Sequence, residues 1–332
     1  MAVSRTIRRD AALAAVVTLV LTAIVSFAPA PAANRFGGDS HDFAHVLIFG
    51  IMGLVLSRTL RNGPWRRQSR VAVTVVSLIA GLVFGVATEY AQGHLGGIPS
   101  WGDVARDMLG AAVGSCAAFA LESTVTPRAR RAFGSAVVLG LAIGFWPLGV
   151  TLLDYRTRDA LLPVLLDPNL PSSLSFTSSF DEPVFIEPLP PGLEPLETLG
   201  SKPPATPPPA GLGIRVPLDH GPWPGVTVEE PYPDWRGWRA FVVEVANPTD
   251  APMKIYVRVN DLAHDNRYED RFDTAMELPA RSRGRFEFPV ADIERAPQGR
   301  RMNLEQIEKI VVHHGGPAAG RSFYLERLSL VR

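Results

Sequence analysis

The sequence predicts a membrane all-α bundle of about five transmembrane helices, followed by an all-β jelly roll or β-sandwich. Three observations carry that prediction. Residues before about Asp154 are rich in Ala, Val, Leu and Gly, with cations confined to short islands. The rest of the 332-residue chain holds most of its Asp and Glu and most of its 30 prolines. That second half also shows short alternating runs separated by turn residues, with no helical period between them.

The bulk numbers average two unlike halves, 46% hydrophobic and 20% charged over the whole. Formal net charge is zero, so no overall field attracts nucleic acid, which is not expected as a partner. The sole cysteine, Cys116, lies in an apolar stretch and excludes a disulfide framework.

Taken in order, five apolar stretches are each long enough to span a bilayer: 11–30, 43–60, 71–92, 104–121 and 132–153. Arginines orient them. Arg5, Arg8 and Arg9 precede the first; Arg58, Arg61, Arg66, Arg67 and Arg70 follow the second; Arg128, Arg130 and Arg131 follow the fourth. Cations favour the cytoplasmic side. The N-terminus is therefore expected inside a multi-pass inner (cytoplasmic) membrane protein, and everything after Leu153 outside. The first stretch, with its basic start and its Ala28-Pro29-Ala30 ending, also fits a cleaved secretory signal. Either reading leaves the later segments oriented alike.

The domains expected are 1–153 in the membrane, 154–210 as a juxtamembrane segment, and 211–332 as the extracytoplasmic sandwich. The middle segment opens with a short surface helix (154–166) and early strands (172–186), then becomes a proline-rich extended linker from Glu187 to Ala210. Beyond it, strands are expected at 213–217, 226–229, 239–246, 253–260, 274–278, 285–290, 307–313 and 323–331. Residues 253–260 show the clearest alternation.

Two groups of residues stand out chemically. His45, Glu89, Gln92, Asp103 and Asp107 all lie in apolar segments, where ionisable side chains are costly and so point to function. On the expected topology all five face the outer side. Glu89 and Gln92 share a helix face at i, i+3, as do Asp103 and Asp107 at i, i+4. Gly81/Gly85 and Gly110/Gly114 are small-residue pairs that permit close helix approach. The cluster is read as acid–base residues, as a ligand site, or as polar packing with Asp103 capping its helix. No His-Glu-x-x-His or Gly-x-Ser-x-Gly occurs, and no metal or cofactor is expected. In the second half, His264, Asp265, Asn266, Tyr268, Asp270 and Arg271 crowd one loop with planar polar groups and an aromatic ring, the chemistry of a sugar site. A solvated hairpin tip with Asp–Arg pairs has the same composition. Trp235 and Trp238 are read as packing, and His313-His314 as surface.

Three strings together resemble the VanZ-like membrane family over about residues 40–122. They are His45-Val-Leu-Ile-Phe-Gly, Glu89-Tyr-Ala-Gln92, and Ser100-Trp-Gly-Asp103-Val-Ala-Arg-Asp107-Met-Leu-Gly110. Asp107 stands where that family's pattern has asparagine, and Gly96-Gly97-Ile98-Pro99 lacks its arginine. Residues 211–332 resemble the galactose-binding-like jelly rolls of carbohydrate-binding modules. That resemblance is carried by Trp235-Arg-Gly-Trp238, Val257-Arg-Val-Asn260-Asp261 and His264-Asp-Asn-Arg-Tyr268. The VanZ-like resemblance implies a link to the cell envelope and to glycopeptide (teicoplanin-type) tolerance. The expected function is envelope binding, with the bilayer and an envelope glycan or envelope protein as partners. A membrane enzyme acting on a lipid-linked envelope precursor through His45, Glu89, Asp103 and Asp107 is the alternative, and a non-catalytic scaffold the third.

Overall fold

The computed structural model describes residues 34–63, 65–94, 99–179, 183–195, 211–219 and 221–332. The expected span at 11–30 and the linker residues 196–210 lie outside the described residues. The chain divides into two compact units, Met1–Leu153 and Asp154–Arg332.

The first unit is helical: α1 (Arg35–Asn62), α2 (Arg70–His94), α3 (Trp101–Ala120) and the start of α4 (Pro127–Leu161). Local signals set the ends. Asn34 caps α1 by accepting from the Gly37 N–H at 2.7 Å, and Pro127 opens α4, where a missing N–H costs nothing. Three of these helices, α1, α2 and α4, are long and apolar enough to cross a membrane. Of the five expected spans, three are met among the described residues, and the first lies outside them. The fourth expected span is α3, which carries Asp103, Arg106 and Asp107 in its first two turns and buries Asp107 among its neighbours. Val71, Ile79 and Val83 on α2 and Val138, Leu139 and Trp146 on α4 are exposed. Such apolar faces suit hydrocarbon and not water.

Glycines bring α1 and α3 backbone to backbone. A Cβ at Gly110 would stand 2.5 Å from the Val46 carbonyl oxygen, and one at Gly114 would collide with that of Gly50. On α2, Gly81 and Gly85 meet Ala111 and Asp107 of α3. Midway along the bundle, the buried Ser57 hydroxyl pairs with Ser77 at 3.0 Å and donates to Ser115 at 2.9 Å, tying the three helices together. At the far end Glu122 accepts from Arg61 at 2.7 Å and Arg70 at 3.2 Å.

The second unit is an antiparallel β-sandwich. Its strands are β1 (Val164–Leu166), β2 (Thr177–Ser179), β3 (Phe185–Pro188), β4 (Glu194–Pro195), β5 (Leu212–Pro217), β6 (Gly225–Glu229), β7 (Ala240–Asn247), β8 (Met253–Asp261), β9 (Phe272–Leu278), β10 (Ser282–Pro289), β11 (Ile307–His314) and β12 (Ser322–Val331). One sheet of seven strands runs β3-β5-β12-β7-β10-β4, with β1 also on β12; the other, of five, runs β2-β6-β11-β8-β9. Among the described residues, only the short β10–β4 pairing is parallel. Alternate residues such as Phe241, Val243, Ile255, Val257, Ile310 and Leu325 fill the core. Trp235 is buried there, its indole N–H satisfied by the Tyr232 carbonyl at 2.8 Å. A short helix, α5 (Val290–Arg295), follows β10.

All eight strands expected after residue 211 form. The earlier stretch differs in detail. Helix α4 continues to Leu161, so β1 stands where the surface helix was expected to end. Strand β3 begins in the expected early strand run and extends into the linker, β4 lies within the linker, and the two add to opposite margins of the larger sheet. Proline is tolerated there because an edge strand leaves some N–H positions unpaired.

Candidate functional site

Two regions hold the residues singled out in the sequence. In the sandwich, a tight turn after β8 carries the polar loop, with Asn266 in the left-handed region at φ 67°. The structure brings His264, Asp265 and Asp270 together. His264 Nδ1 meets the Asp270 carbonyl at 2.7 Å, and the Asp265 N–H donates to Asp270 Oδ2 at 2.9 Å. Arg300 locks the base, donating to both oxygens of buried Asp261 at 2.7 and 2.8 Å and to Asp270 at 2.5 Å. Its guanidinium holds the Asp270 carboxyl down at about 2. Ligand atoms of His264, Asp265 and Asp270 lie within 4.8 Å of one another, a spacing an ion could use, but Arg300 already supplies positive charge there.

Tyr268 and Arg271 are placed differently. Tyr268 is 63% exposed, and the Arg271 guanidinium sits 4.5 Å over its ring while pairing with Asp273 at 3.0 Å. They line a cavity of about 340 Å³ shared with Asp273, Thr274, Asp292 and Gln298.

One group of residues escaped sequence reading. Strand register puts Tyr256 and Arg258 of β8 beside His313 and Val311 of β11, on the face turned away from the core. The His313 ring stacks on Tyr256 at 5.5 Å, and half-exposed Trp223 meets it edge-on at 5.5 Å. His313 is buried, not surface as expected, and burial pushes its pKa down. The alternation of β8 was the available signal, since it already set Lys254, Tyr256, Arg258 and Asn260 on one face.

In the helical unit, His45 of α1 and Asp107 of α3 form a buried pair, Nδ1 to Oδ1 at 2.8 Å. Glu89 turns to the start of α3 and accepts the Ser100 N–H at 2.5 Å. Ser100, not Asp103, supplies the side-chain cap of α3. Asp103 instead pairs with Arg106 at 2.8 Å, and Arg106 also holds Asp42 at 2.6 Å. Gln92 is half-buried a turn beyond Glu89.

No model of a known protein family matches the chain, so the VanZ-like resemblance rests on its own motifs. No curated protein matches it either. Solved structures do. The family 11 carbohydrate-binding module from Clostridium thermocellum, solved with a β-1,3-1,4-mixed-linked tetrasaccharide, is similar at 12% identity and a TM-score of 0.31, over 47% of this chain and 89% of that one. The CBM22-2 xylan-binding domain from Paenibacillus barcinonensis Xyn10C is similar at 8% identity and 0.30, over 48% of this chain and 92% of its own. An exo-β-agarase is similar at 11% identity and 0.33, over 47% of this chain and 23% of its own. What those proteins bind is theirs. By its own strand order and helices, this chain holds, among the described residues, three membrane-length apolar helices and an antiparallel β-sandwich.

Proposed function

We propose that this chain is a multi-pass membrane protein of the cell envelope whose β-sandwich lies outside the cytoplasm and binds a glycan. The observation that carries the proposal is the 340 Å³ cavity beside exposed Tyr268, with Arg271, Asp273, Asp292 and Gln298 around it. A sugar ring offers apolar C–H faces and hydroxyl edges. An exposed aromatic face meets the first, and planar charged and amide groups meet the second. The alternation of arginines along the chain supports the orientation. The VanZ-like motifs extend the reading to teicoplanin-type tolerance, which should fall in a host that lacks the protein.

Calorimetric titration of the full chain in detergent with peptidoglycan fragments and envelope polysaccharides tests the glycan claim. Saturable binding is expected, weakened about tenfold or more by Tyr268→Ala or Arg271→Ala, a change of about 1.4 kcal/mol. Absence of heat with every glycan would sink this reading and leave a protein partner.

A further inference from the structure

The close approach of α1, α2 and α3 creates a second site. Asp107 lies against Gly85, where a Cβ would stand 2.7 Å from Oδ2. Glu89 is one turn further along the same face of α2. His45 reaches the same carboxylate from α1. Three buried atoms here, His45 Nε2, Asp107 Oδ2 and Glu89 Oε1, have no hydrogen-bond partner among the described residues. Their residues are 0%, 0% and 5% exposed. Buried polar atoms left unsatisfied are costly, more so when charged.

Their chemistry is one-sided. An ionised Asp107 only accepts, so His45 Nδ1 carries the shared proton, and with the ring neutral Nε2 presents a lone pair. All three open atoms are then acceptors. The neighbouring cation, Arg106, is already engaged by Asp42 and Asp103. What is missing is a positive group with several N–H donors, and a primary ammonium has three.

The depth fits as well. By a helical rise of about 1.5 Å per residue, Asp107 lies about 9 Å inside the start of α3 and Glu89 about 7.5 Å inside the end of α2. Trp101, at the start of α3, is 78% exposed, and Tyr90, next to Glu89 in the last turns of α2, is 68% exposed. Exposed Tyr and Trp mark the head-group level of a bilayer.

We propose that His45, Glu89 and Asp107 form a binding site for a primary ammonium group, presented by an aminophospholipid head group or by a soluble amine. The proposal rests on the helical unit residing in a bilayer but not on glycan binding by the sandwich.

The test uses the full chain in phosphatidylcholine nanodiscs with and without phosphatidylethanolamine. Both head groups are zwitterionic with a cationic nitrogen, but the choline ammonium has no N–H. Native mass spectrometry of retained lipid should show phosphatidylethanolamine enriched about tenfold over its share, the preference one well-made charge-assisted contact confers. Glu89→Gln and Asp107→Asn should each remove the enrichment while helical circular dichroism and disc incorporation stay unchanged. Should the buried Asp107→Asn fail to fold, Glu89→Gln alone decides. Ethanolamine added to discs of phosphatidylcholine alone distinguishes the sources: a raised Tm without lipid enrichment assigns the site to a soluble amine. Normal insertion with neither enrichment nor stabilisation overturns the proposal and leaves water in the site. Failure to insert at all overturns the membrane reading, and this site with it.

Discussion

Arg300 closes the polar loop of the sandwich. It holds two carboxylates, Asp261 and Asp270, that are 0% and 10% exposed in their side chains. Arg300→Ala should therefore cost about 3 kcal/mol, towards the lower end for breaking a buried pair because the guanidinium is itself partly exposed; chemical denaturation measures it. The pH dependence has a definite sign. Asp270 titrates at about 2 in the folded chain, below the ordinary carboxylate value of about 4. On acidification the unfolded chain takes up that proton first. The contribution of this pair should be constant above pH 4 and be lost between pH 4 and 2, and Asp270→Asn should flatten that part of the profile. The chemistry at this scale was legible, since His264, Asp270, His45 and Asp107 could be picked out by type and setting. Their partners were not. His45 and Asp107 are 62 positions apart and Asp261 and Arg300 39 apart, and composition carries no information about which distant side chains meet.

Helix α3 shows what an element needs besides hydropathy. Its charged first turns weaken it as a span, yet its glycine face gives it the tightest packing in the bundle. Gly114→Leu should push α3 off Gly50 of α1, with a cost of about 1–3 kcal/mol from overpacking. The separation should show as a lowered Tm of the detergent-solubilised protein and, in the same sample, as loss of any ammonium binding. The Gly110/Gly114 spacing announced this contact because a small-residue face at i, i+4 has one common use between helices. Strands behaved alike. From β5 to β12 alternation and turn residues marked them, and the run at 172–186 pointed to β2 and the start of β3, whereas β1 and β4 are three and two residues long and adjoin prolines. A run that short has no period to read, and proline suppresses the signal at edges where sheets still accept it.

For the whole molecule, the division at Leu153/Asp154 makes a prediction about where the chain can be cut. Strands β1, β2, β3 and β4 pair with β12, β6, β5 and β10. A fragment of residues 154–332 should unfold in one cooperative transition. A fragment starting at residue 211 lacks four strands and leaves β5, β6 and β10 as bare edges. It should melt lower and aggregate, as light scattering during a thermal ramp would report. Equal melting of the two fragments would show that the early strands add nothing.

The position of β12 sets the timetable of folding. It lies in the middle of the larger sheet, between β5 and β7, and also receives β1. All three of those partners leave the ribosome before it. Until residues 322–331 emerge, the larger sheet is two separate pieces with their hydrogen-bonding edges open, and β1 waits for a partner about 160 positions away. The larger sheet therefore closes only once residues 322–331 are available. A nascent chain stalled before residue 322 should be protease-sensitive in β1, β5 and β7, and one stalled well beyond β12 should be protected there.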